Sequence, residues 1–181
     1  MKRLPAQALL LIDGYNIVGA WRSLKQVRDE AGLEEARRQL IERMMGFASF
    51  HGYETQIVFD AQYQDLPGTQ EVITRFVSVH YTNSGQTADT YIEKTCADFR
   101  QDLRKFDHRL IVATNDTAQK LTVIGYGAEW LSADRLANEV ELAALHSARR
   151  QKSTPKKGSA RLMNSLDPES QAKLDRLRYG K

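Results

Sequence analysis

With one cysteine, Cys96, among 181 residues, the chain cannot form a disulfide within itself, which suits a reducing, cytoplasmic setting. It lacks any apolar run near the roughly 20 residues that a membrane span requires, so no membrane partner is expected. Lys2 and Arg3 ahead of "ALLLI" resemble the start of a secretion signal. That apolar run is short, however, and it ends in Asp13 instead of a small-residue cleavage site. The sequence has no P-loop, no G-x-S-x-G and no G-x-G-x-x-G, "GYG" at 125–127 being too short. Those absences exclude the nucleotide-binding and serine-hydrolase classes that such motifs mark. The four histidines, His51, His80, His108 and His146, share no metal-ligand spacing and read as surface or packing residues.

What is present is the composition of a soluble folded chain, 41% hydrophobic and 27% charged. The charge is uneven. Residues 147–181 carry 10 Lys/Arg and 3 Asp/Glu, a net of +7, which leaves 16 basic and 20 acidic residues, a net of −4, for residues 1–146. The basic character therefore belongs to the tail and the acids to the body. "RRQKSTPKKGSARLMNS" has six basic residues and no acid, as a linker does. Beyond it Asp167 reads as an N-cap and Pro168 as the first position of a short helix. The expected division is a folded domain at 1–149 and a basic linker with a C-terminal helix at 150–181.

Within the body, strands alternate with helices. "ALLLID" is a strand over about 7–13. Leu33, Ala36, Leu40, Ile41, Met44, Phe47 and Ala48 recur at the 3–4 spacing of an amphipathic helix that ends near Gly52. Strands follow at 55–61 and 75–82, separated by a turn at Pro67–Gly68. A helix from Thr87 carries the stripe Ala88, Tyr91, Ile92, Thr95, Cys96, Phe99 and Leu103. A fourth strand covers 109–116, a short helix 117–124, a brief fifth strand lies in "AEWLS", and Ser132 caps a last helix over 133–149. Near-continuous apolar strands ("LLLI", "IVF", "LIVA") alternating with helices indicate a mostly parallel sheet of about five strands, flanked by helices on both faces.

That architecture gives the acids a common address. Asp13 ends the first strand, Asp60 the second, Asp116 follows the fourth, and Asp89 opens the helix after the third, with Glu93 one helical turn on. All lie at the carboxyl edge of the sheet, where open α/β sheets bind ligands. Two carboxylates about 4 Å apart repel by roughly 4 kcal/mol at an effective dielectric near 20, and a hard dication, Mg²⁺ or Mn²⁺, relieves that repulsion with oxygen ligands and retained water. Each acid alone has an ordinary reading as a turn or cap residue; Asp13, closing a buried strand, is the costliest to leave unpaired. Gly14 permits close approach, and Asn16 offers an amide to a carboxylate or phosphate. Tyr15 is either a stacking surface or a packing residue. Ser84, Thr87 and Asn115 are neutral donors nearby. Trp21 and Trp130 read as packing residues, with Trp21 also near enough to stack on a base.

The motifs "LLLIDGYNIVGAW", "LEEARRQLI", "IVFDA", "GQTADTYIE" and "VATND", spanning about 9–149, resemble the NYN domain family in its YacP-like branch, within the PIN-like nuclease fold. The resemblance implies a three-layer PIN-like α/β domain and a metal-dependent endoribonuclease, associated in some members with ribosomes. It implies Asp13 and Asp89 as principal metal-binding acids, Asp60 and Asp116 in support, and Asn16 as the motif asparagine. Asn115 stands where many relatives carry serine. The expected partners are RNA and the ribosome. Arg149, Arg150, Lys152, Lys156, Lys157 and Arg161 are candidate contacts to the RNA backbone. Two alternatives stay open: a catalytically silent RNA- or ribosome-binding module of the same fold, and a metal-dependent phosphatase of small molecules. Against the second, aspartate-nucleophile phosphatases carry another acid two residues after the first, where Tyr15 stands here.

Overall fold

The computed structural model describes the backbone of residues 7–61 and 68–153 and the side chains of 7–61 and 68–150. The proposed linker and C-terminal helix, and with them Lys152, Lys156, Lys157 and Arg161 as phosphate contacts, lie outside what is described.

Among the described residues six strands form one sheet in the order β3-β4-β2-β1-β5-β6. They are β1 (Ala8–Asp13), β2 (Glu54–Phe59), β3 (Thr69–Val72), β4 (Val77–Tyr81), β5 (Arg109–Ala113) and β6 (Glu129–Leu131). All neighbours pair in parallel except β3, which runs antiparallel to β4. Six α-helices among the described residues flank them: α1 (Gly14–Ala20), α2 (Arg22–Ala31), α3 (Leu33–His51), α4 (Ala88–Gln101), α5 (Thr117–Gly125) and α6 (Ala133–Ser153).

β1 is buried along its whole length because helices cover both faces, and the two-residue period of a strand divides its side chains between them. Ala8, Leu10 and Ile12 join Ile57, Phe59, Val77 and Val79 in a core completed by α1, α2, α3 and α6. Leu9 and Leu11 join Val58, Leu110 and Val112 against Ala88, Ile92, Cys96 and Phe99 of α4 and Val123 of α5. Strand order reverses beside β1, since β2 lies on one side and β5 on the other. The carboxyl ends of β1 and β5 therefore open the crevice where such sheets place their ligands.

Three expectations change. The first concerns α1 and α2, for which the sequence shows no stripe: α1 has seven residues and no acid in its first turn, and α2 buries only Leu24. The second is the sixth strand, β3. All four of its residues are exposed, so it lacks the alternation of a half-buried strand and exists by pairing with β4 across a hairpin. There Thr74 Oγ1 accepts from the Phe76 and Val77 N–H groups at 3.2 and 3.0 Å. The third is Leu103, which leaves the stripe of α4. The helix stops at Gln101, Asp102 caps a following 3-10 turn over Leu103–Phe106, and Leu103 is 80% exposed.

Candidate active site

Asp13 is both the last residue of β1 and the N-cap of α1. Its Oδ1 accepts the Asn16 N–H at 3.2 Å, and the residue is only 8% exposed. A carboxylate is a good cap at a helix N-terminus, so capping accounts for the position. It does not account for the charge. Burial is the main cause that lifts the Asp13 carboxyl from 3.8 to about 7; the Asn16 N–H opposes the rise, and the charges of Asp89, Asp60 and Asp116 add to it. Asparagine or serine caps a helix equally well without that electrostatic penalty.

Gly14 has its own reason to be glycine, and it is packing. A Cβ there would sit 2.3 Å from the buried Phe59 ring. That ring is held in turn by Tyr15 and Tyr81, at centroid distances of 5.0 and 5.8 Å.

Asp60 and Asp116 are held in the same manner, each by a backbone N–H at a helix start, and Asp89 by a side chain. Asp60 follows β2, and its Oδ1 accepts the Ala88 N–H of α4 at 3.1 Å; burial raises its carboxyl, against hydrogen bonds from Ala88 and Thr82. Asp116 is the N-cap of α5, its Oδ1 accepting the Gln119 N–H at 2.9 Å. Asp89 lies in the first turn of α4, and its Oδ1 accepts from the Gln119 side-chain amide at 2.5 Å. Although Asp89 as a residue is exposed, burial of its carboxyl raises it, followed by the charges of Asp116, Asp60 and Glu93.

Four acids from four segments thus share one sheet edge and one another's field. They do not close into a cage: among the described residues no three Asp, Glu, His or Cys side chains are arranged to hold a metal ion. The donor set still fits a hard dication of the Mg²⁺ type, which takes one or two carboxylates and keeps several waters. The hydrogen bonds to Asp13, Asp89 and Asp116 all run to Oδ1.

The sequence reading missed Gln119. It is 3% exposed, its backbone N–H holds Asp116, and its side-chain amide holds Asp89. Its Oε1 is buried and meets no hydrogen-bond donor among the described residues. A neutral glutamine inside a short apolar helix carries no sequence signal beyond its place three residues after Asp116.

The neutral candidates take mixed positions. Asn16 Oδ1 accepts the Asn115 N–H at 2.7 Å, and Asn115 Oδ1 accepts the Ala133 N–H at 2.8 Å. These two asparagines therefore join α1, the turn after β5 and the start of α6, and Asn16 is left with its Nδ2 donor to present. Tyr15 packs inward on Phe59, and its hydroxyl accepts from Arg37 at 3.0 Å. Thr87 caps α4, its hydroxyl accepting the Thr90 N–H. Ser84 and Thr87 line a cleft of about 180 Å³ with Ala61, Gly85 and Gln86, between Asp60 and Asp89 in the chain. Trp21 is buried and donates to Ala133 O at 2.8 Å, a packing role. Trp130 donates to Thr114 O and lies 3.7 Å beneath the Lys120 ammonium. Arg149 and Arg150 are exposed on α6.

Comparison with known proteins agrees with this architecture. The YacP-like NYN domain matches residues 10–179, past residue 149 where the recognisable motifs end, so the likeness extends into the basic tail. Uncharacterized protein YacP of Bacillus subtilis (strain 168) is 37% identical over 134 residues, 74% of this chain and 75% of that protein. The crystal structure of Rae1 (YacP) from Bacillus subtilis superposes with a TM-score of 0.65 at 30% identity, covering 95% of each chain. A tryptophan-to-leucine variant of it gives 0.68 at 30% identity, covering 94% of this chain and 99% of that one. The chain belongs to the YacP-like NYN domain family, within a larger NYN family that includes nucleases.

Proposed function

We propose that this protein is a metal-dependent endoribonuclease that hydrolyses RNA phosphodiester bonds. The observation that carries the reading is Asp13: a buried acid at the mouth of the β1–β5 crevice whose carboxyl is lifted to about 7 in the field of three other aspartates. Perturbed carboxyls concentrate at functional sites, and a helix cap alone gives no reason to keep this charge.

In this reading Asp13, Asp89 and Asp116 hold Mg²⁺ or Mn²⁺ through one or two carboxylates at a time, with Asp60 tuning the local field. When bound, the ion lowers the pKa of a coordinated water and offsets negative charge building on the phosphate. The chain's own residues do the rest. Capping bonds from Asn16, Ala88 and Gln119 keep three of the carboxylates from swinging away. In this reading the Asn16 Nδ2 donates to a phosphate oxygen. The buried strands beneath exclude water from one side of the crevice.

An acidic edge repels a polyanion, so binding needs cations elsewhere. The tail, with its net of +7 over residues 147–181, supplies them by neutralising phosphates.

The test compares wild type, Asp13→Asn and Asp89→Asn on end-labelled RNA with and without Mn²⁺. Loss of about 100-fold or more in cleavage rate is expected for each variant, the scale on which a metal stabilises a charged transition state. RNA cleavage by both variants at the wild-type rate would end the nuclease assignment in favour of a binding module. Release of phosphate from small esters, with RNA left intact, would move it to the phosphatases.

A further inference from the structure

Gln119 hydrogen-bonds two of the proposed metal-binding acids, and it reaches them through different groups. Its backbone N–H donates to Asp116 Oδ1 at 2.9 Å and its side-chain Nε2 to Asp89 Oδ1 at 2.5 Å. Asp116 follows β5 and Asp89 opens α4, so the two acids come from segments 27 residues apart that have no direct covalent reason to keep a constant spacing. We infer that Gln119 is a positioning residue that sets the separation and orientation of Asp89 relative to Asp116, and so sets the affinity of the site for a dication. The inference rests on the nuclease reading above.

The chemistry of the side chain supports this role. A lysine in its place would donate equally well but would carry a positive charge into the site and compete with the ion. A glutamate would add another negative charge to an edge where, after burial, the charges of Asp60 and Asp116 already push up the carboxyls of Asp13 and Asp89. Glutamine donates without altering the charge. Folding alone gives it little reason to be there: the bond to a charged acceptor stabilises, but the buried Oε1 with no donor costs a comparable amount. An unbranched apolar side chain such as methionine fits the same buried volume with neither effect. A residue that is near neutral for stability and half-satisfied in its hydrogen bonding is explained by what its other half holds.

The experiment measures full-length wild type, Gln119→Met and Gln119→Leu in three ways. These are Mn²⁺ titration calorimetry, thermal melting of the metal-free protein in EDTA, and RNA cleavage kinetics. The expected result is Mn²⁺ affinity weakened by about 10- to 100-fold, the usual effect of removing a residue that orients a metal ligand. The kcat falls with it, the KM for RNA stays at the wild-type value, and the EDTA melting temperature is close to that of wild type. Wild-type Mn²⁺ affinity in both variants, with or without a lowered melting temperature, overturns the inference and makes Gln119 a packing residue. If wild type itself shows no Mn²⁺ heat and no cleavage, the nuclease reading fails first and takes this inference with it, an outcome that cannot be confused with the former.

Discussion

Asparagine in place of Asp13 should make the metal-free protein more stable while abolishing its activity. In the folded chain burial lifts this carboxyl from 3.8 to about 7, helped by Asp89, Asp60 and Asp116. Below pH 3.8 the acid is protonated whether the chain is folded or not, and it contributes no pH dependence. Between 3.8 and 7 the unfolded chain releases the proton while the folded one retains it, so stability falls as pH rises. Above 7 both are ionised and the penalty is constant. At about 1.4 kcal/mol per pH unit, the rise from 3.8 to about 7 amounts to about 4 kcal/mol. Asparagine keeps the cap on α1 and never ionises. Asp13→Asn should therefore melt about 10 °C above wild type at pH 8 in EDTA, taking about 2–4 °C per kcal/mol for a chain of this size, with the gap closing towards pH 4. Mn²⁺ should raise the melting temperature of wild type and leave that of the variant unchanged. Calorimetric scans at pH 4, 6 and 8, with EDTA and with Mn²⁺, supply the measurement. A variant that melts at or below wild type at pH 8 without metal would refute the claim that Asp13 is held at an electrostatic cost.

Two further outcomes follow from other parts of the molecule. Gly14→Ala drives a methyl group to 2.3 Å from the Phe59 ring, which has no room to withdraw; a loss of about 1–3 kcal/mol is expected, read as a lowered denaturation midpoint with an unchanged slope. Deleting residues 154–181, which removes 7 Lys/Arg and 3 Asp/Glu, should flatten the salt dependence of RNA binding by about 0.7 in log–log slope for each phosphate no longer neutralised, while Mn²⁺ binding is retained. A slope identical to that of the full chain removes the tail from the interface.

The layered sheet was legible because its signals are local. Runs such as Leu9–Ile12 and Ile111–Ala113 are apolar at every position since both faces are covered, and the stripes of α3 and α4 repeat at the helical period. α1, α2 and β3 were not legible for the converse reason: one is too short, one is polar nearly throughout, and the exposed β3 depends on β4 to exist. Asp13, Asp60, Asp89 and Asp116 could be assigned to one edge from chain order alone, because a parallel sheet sends every strand's end the same way. Their spacing could not, since it depends on where each helix start draws its acid back. Gln119 became visible only when α4 and α5 were seen side by side. Local pattern thus settles which residues are buried and which end of the sheet carries charge. How far apart those charges stand, and what holds them there, is decided by hydrogen bonds between segments distant in the chain, and no single stretch of sequence encodes such a distance.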